Sequence, residues 1–90
     1  MSKILKDEEI VICQKALNTF GQAIQQVHCM EEMGELIQAI SKSIRDEKHN
    51  VEEEIADVEI MCTQLRLIYD NTKVDIIKQQ KLEKLKGLVW

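Results

Sequence analysis

The sequence predicts a single all-α domain spanning residues 1–90. Three observations predict it: the chain has no proline, only three glycines, and apolar residues that recur at helical spacing in four successive stretches. Glu, Lys, Gln, Leu and Ile, all good or tolerable helix formers, make up much of the chain. A chain this short buries a modest share of its surface, so its core alone is marginal.

The first helix is expected over about Asp7 to Thr19. Asp7, Glu8 and Glu9 oppose the positive end of the helix dipole, and Ile10, Cys13 and Leu17 fall three and four residues apart. Gly21 marks a break or tight bend. A second helix is expected from Gln22 to the region of Ile44, with Ile24, Val27, Ile37, Ile40 and Ile44 as its apolar positions. Arg45 to Asn50 form a polar connector. A third helix follows, with Asn50 as cap and Glu53 completing a capping box. Its apolar face is Ile55, Val58, Cys62, Leu65 and Ile68, and it is expected to end near Asp70 to Lys73. The fourth helix covers about Val74 to Leu88, with Ile77, Leu82 and Leu85 as apolar positions. Short connectors imply a four-helix antiparallel bundle. Assembly into a dimer or tetramer is expected, because it buries faces that one copy leaves open.

Twelve Lys and Arg stand against sixteen Asp and Glu, a formal charge of −4. No basic face for a nucleic-acid polymer is evident, although a divalent cation still allows a nucleotide to meet an acidic site. Cys13, Cys29 and Cys62 are odd in number and lack metal-ligand spacing, as expected of small buried residues in a reducing cytoplasm. The first residues turn acidic before any apolar run forms, so neither a signal peptide nor a membrane span is expected.

Two segments share one pattern, 22 residues apart: Glu31-Glu32-Met33-Gly34-Glu35 and Glu53-Glu54-Ile55-Ala56-Asp57. Each runs acid, acid, any residue, small residue, acid. On a helix, positions three apart share a face, so Glu32 pairs with Glu35 and Glu54 with Asp57. Gly34 and Ala56 are expected to allow close backbone approach. Packing the two helices together would bring four carboxylates to one place. At ~5 Å and an effective dielectric of ~20, each like-charged pair costs roughly 3 kcal/mol. The six pairs of such a cluster reach ~20 kcal/mol as an upper figure, more than the typical ~5–15 kcal/mol that holds a whole domain together. A bound cation removes that cost. The donors are all oxygen, which selects Mg²⁺, or Mn²⁺, over zinc. A di-iron site needs Glu-x-x-His, and here His28 precedes Glu31, so His28 is expected as a polar neighbour of the acids or an exposed residue. Acid pairs are common on solvated helix faces, but the repetition of the motif on adjacent helices favours a site. One difficulty is geometric: in a simple hairpin the two motifs are offset by roughly 10 Å. Either the second helix stops near Ser41, or the connector climbs back, so irregular structure is expected within Ser41 to Asn50.

These motifs resemble the signature of the MazG-like family of all-α nucleoside triphosphate pyrophosphohydrolases, EExxE followed after a spacer by ExxD. The resemblance runs from about Phe20 to Lys86. It implies hydrolysis of a (deoxy)nucleoside triphosphate between the α and β phosphates, Mg²⁺ held by Glu32, Glu35, Glu54 and Asp57, and a homodimer or homotetramer. Glu31 is the first candidate for the general base, with Glu35 as its rival. Lys42 and Lys81 are the candidate phosphate-binding groups, with Arg45 behind them. The chain departs from the family at Leu85, where members often carry Asn, and it has no evident aromatic box for a base. Trp90 is expected at a frayed end or interface, and Gln22, Gln25 and Gln26 as polar surface. The alternative is a non-catalytic helical interaction or nucleotide-binding module of the same fold.

Overall fold

The computed structural model describes residues 3–90, which form four α-helices: α1 (Lys6–Phe20), α2 (Gln22–Ile44), α3 (Val51–Ile68) and α4 (Asn71–Val89). No strand occurs among the described residues, and none of the helices is long and apolar enough to cross a membrane.

A single residue joins α1 to α2. Gly21 adopts φ 92°, ψ 147°, a conformation that L side chains rarely adopt. Its N–H donates to Leu17 O at 2.9 Å, and its carbonyl accepts from Gln25 N–H at 3.1 Å. It therefore ends one helix and starts the next.

Of the two ways to align the acidic motifs, the chain takes the second. α2 runs its full length to Ile44, and the connector returns. The helix stops in a Schellman arrangement: Glu47 N–H donates to Lys42 O at 2.9 Å and Asp46 N–H to Ser43 O at 3.0 Å. Asp46 takes the left-handed position, with φ 59°. Arg45 pins the turn, donating to Ser41 Oγ at 3.0 Å and to Glu47 Oε2 at 2.6 Å. Its guanidinium is thereby committed to the turn rather than left free for phosphate.

The expected capping box at Asn50 does not form. The Asn50 side chain accepts nothing from the first turn of α3; its amide instead donates to Glu53 Oε2 at 3.1 Å and Glu54 Oε1 at 2.9 Å. His49 Nδ1 accepts from Val51 N–H at 3.3 Å. At the other end, α4 starts earlier than expected. Asp70 is not mid-connector but the N-cap, its Oδ1 accepting from Lys73 N–H at 3.0 Å. Only Tyr69 and Asp70 separate α3 from α4.

The core is small. Cys13, Leu17, Cys29, Ala39 and Met61 are its buried apolar residues, joined by buried Gln25, Glu54 and Gln64. Burial pushes the Cys13 and Cys29 thiols up, which keeps them protonated and inert. α2 and α3 form the main interface, and α1 packs against both. The four helices form the expected all-α bundle, with α4 at its edge. α4 touches α3 alone and buries none of its residues. Its stripe of Val74, Ile77, Leu82, Leu85 and Leu88 lies exposed. The apolar positions of α2 do not make its buried face. Ile24, Val27, Ile37, Ile40 and Ile44 all lie exposed, and the buried residues are Gln25, Cys29 and Ala39. Helical periodicity locates an apolar stripe but does not say whether it meets its own chain or another surface.

Candidate metal centre

α2 and α3 lie antiparallel, because the start of α2 meets the end of α3: Gln25 Nε2 donates to Gln64 Oε1 at 2.8 Å in the interior. Seven residues, or two helical turns, carry α2 from Gln25 to Glu32. The same step back along α3 runs from Gln64 to Asp57. Glu32, Glu54 and Asp57 meet there, each offering one oxygen within 4.8 Å of the others.

Two of these acids are held by the protein through one oxygen only. Glu54 is 6 % exposed; Oε1 accepts from Asn50 Nδ2, while Oε2 is buried and unpartnered. Glu32 Oε1 meets His28 Nε2 at 3.0 Å, one turn earlier on α2, while Oε2 is likewise buried and unpartnered. A buried carboxylate oxygen without a partner is costly, since it has lost water and gained nothing. No Lys or Arg among the described residues pairs with any of the three acids.

The Glu54 carboxyl is pushed above the usual glutamate range, first by burial, then by the charge of Glu35, with Asp57 adding to it. The Asn50 amide works against the rise. Glu35 thus faces Glu54 from α2, but it is exposed and outside the tight group of three. An all-oxygen donor set with two free buried oxygens fits a hard divalent cation. Oxygens around Mg²⁺ stand roughly 3–4 Å apart, so a small closure of these side chains suffices.

The other expected residues are placed as follows. Glu31 is exposed on the neighbouring face of α2, in a shallow groove with Phe20, Ile24, Val27 and His28. Lys42 is exposed in the last turn of α2 and forms no ion pair among the described residues. Lys81 is exposed on α4, which makes no contact with α2, so one chain does not bring it to the acids. His28 is the polar neighbour expected of it. Gly34 and Ala56 do not serve close approach: a Cβ on Gly34 would meet nothing within 4 Å, and Ala56 is exposed. Gln26 accepts from Tyr69 Oη at 2.6 Å, and Gln22 is exposed.

Sequence reasoning missed Asn50 as a partner of Glu54 and missed the Gln25–Gln64 pair. The signal for the glutamines was present. Each stands two turns from an acid of the motif and therefore shares that acid's face. Comparison of the chain with protein-family models, with curated proteins and with solved structures gives no match.

Proposed function

We propose that this chain is a Mg²⁺-dependent hydrolase that converts a (deoxy)nucleoside triphosphate to its monophosphate and pyrophosphate. One observation carries the reading: Glu32 from α2 and Glu54 and Asp57 from α3 share one small space, and two of their buried oxygens have no partner. The resemblance of both motifs to the MazG-like signature supplies the reaction.

In this reading Glu32, Glu54 and Asp57 hold the ion, with Glu35 as fourth acid. Bound Mg²⁺ supplies neutralisation of phosphate charge and orientation of a water, which acids alone do not provide. The protein's part is to keep the donors aimed. Asn50 occupies one oxygen of Glu54, and His28 one oxygen of Glu32, leaving the other oxygen of each without a protein partner and available to the ion. The attacking water gives up a proton as its oxygen joins phosphorus and the bridging oxygen of the α–β anhydride leaves. Glu35, exposed and adjacent to Glu54, suits the role of proton acceptor better than Glu31, which lies on the neighbouring face.

Phosphate contacts fall to Lys42 and Lys81. Lys81 requires a second copy, because α4 stands away from α2. The exposed stripe of α4 and the outward isoleucines of α2 support a homodimer or homotetramer. Mn²⁺ serves in place of Mg²⁺, and the enzyme works in the cytoplasm. The same exposed stripe supports a second reading, a non-catalytic helical interaction module, which predicts no thermal shift with Mg²⁺ or Mn²⁺. The deciding experiment is a panel of common and damaged nucleoside triphosphates with Mg²⁺ and a pyrophosphate readout. Release from at least one is expected; none from any would overturn the enzyme reading.

A further inference from the structure

We propose that the buried Gln25–Gln64 hydrogen bond sets the register of α2 against α3 and so positions the acids, an inference that rests on the metal site proposed above. Gln25 is 7 % exposed and Gln64 5 %, and their amides meet at 2.8 Å. From that bond both helices count off the site. Two turns onward, Glu32 stands with Asp57; three residues further, Glu35 faces Glu54. Between the two levels lie buried Cys29 on α2 and buried Met61 on α3.

Apolar packing specifies this register weakly. The buried apolar side chains of the seam are a cysteine, an alanine and a methionine, which are small or adaptable and tolerate a shift by one turn. The amide pair does not tolerate it. A one-turn slip moves each helix by roughly 5 Å, strips both amides of their partner inside the protein and separates Glu32 from Asp57. A buried polar contact that selects one register over its neighbours is an established role for such pairs in coiled coils. Gln25 and Gln64 are therefore positioning residues, acting on the ion only through the acids.

The experiment compares Mn²⁺ affinity with thermal stability in metal-free protein. The variant Gln25→Leu/Gln64→Leu removes the bond while leaving no unpaired amide. It is expected to melt at or above the wild-type temperature yet to bind Mn²⁺ at least about tenfold more weakly, the loss typical of removing a group that orients a metal ligand. The variant Gln64→Glu keeps an acceptor for Gln25 Nε2, and is expected to retain wild-type Mn²⁺ affinity even with a lower melting temperature. If the leucine pair does not fold, Gln25→Met/Gln64→Met carries the same expectation with side chains closer in length to glutamine. Wild-type Mn²⁺ affinity in the apolar pair, or an equal loss in Gln64→Glu, would overturn the positioning role while leaving the metal site standing. No Mn²⁺ binding by the wild type would overturn both.

Discussion

The seam between α2 and α3 and the outer face of α4 invert the usual arrangement of a small helical domain. The seam buries Gln25, Gln64 and Glu54, whereas α4 exposes Val74, Ile77, Leu82, Leu85 and Leu88. Polar groups inside carry a cost, and apolar groups outside forgo a gain. Both choices become sensible when each surface has something to bind. In the proposed reading the seam takes a cation, and the α4 face takes another protein surface. A domain with this division is less stable alone than its composition suggests, and it gains stability from what it binds.

The sharpest way to break the comparison is to remove the charge at the seam. Glu54→Gln is expected to lower Mg²⁺-dependent pyrophosphate release by at least about a hundredfold, the upper range for perturbing a metal site. The same variant is expected to melt no lower than the wild type without metal, because an amide relieves the repulsion with Glu35 and Asp57. Activity loss with unchanged or raised stability separates a functional acid from a structural one.

The α4 face responds in the opposite way. Ile77→Glu with Leu85→Glu is expected to leave the helical circular dichroism signal intact, since α4 buries nothing within the chain. It is expected to turn an oligomer into a monomer by light scattering. An oligomer that survives this change would place the interface elsewhere. A wild type already monomeric at micromolar concentration would refute the assembly.

A smaller effect follows from the raised Glu54 carboxyl. In the folded, metal-free protein this group binds its proton more tightly than in the unfolded chain, so protonation favours folding. The stability it contributes is fully present below the ordinary glutamate pKa and is lost as pH rises through the raised folded value. Saturating Mg²⁺ is expected to offset the loss at neutral pH. Melting temperature against pH, with and without Mg²⁺, checks both the direction and the offset.

The two inter-helix and motif glycines give the smallest contrast. Gly34→Ala is expected to stabilise α2 by about 0.5–1 kcal/mol, as helix propensity alone dictates where no atom lies within reach of the new methyl. Gly21→Ala is expected to destabilise by about 1–3 kcal/mol, because its backbone conformation suits only glycine. Denaturant unfolding of both variants measures the pair.

Much of this architecture is legible in the sequence, and each exception has a physical cause. The joint at Gly21, the α2 span and the acidic motifs on facing helices all follow from spacing and from residue chemistry, whereas spacing leaves open whether α2 stops early or the connector returns. The buried face of α2 does not follow from either. Ile24, Val27, Ile37, Ile40 and Ile44 are its apolar positions, yet they spread around the helix and lie exposed, and the chain buries Gln25, Cys29 and Ala39 instead. Hydrophobic periodicity assumes that the most apolar face meets the chain's own core. That assumption fails here, where the apolar positions of α2 lie exposed in the single chain. The backbone geometry just past the stop of α2 is not legible for a local reason: Asp46, neither glycine nor asparagine, takes the left-handed position. At the site, the two motifs announce the acids. Their oxygen-level partners, Asn50 and His28, depend on rotamers that spacing cannot supply.

Anomalous scattering from crystals grown with Mn²⁺ addresses the seam directly. A single strong peak is expected within bonding distance of one oxygen each from Glu32, Glu54 and Asp57, with the Gln25–Gln64 bond intact behind it. A map without a peak there, in crystals of protein saturated with Mn²⁺, would contradict a cation site between α2 and α3.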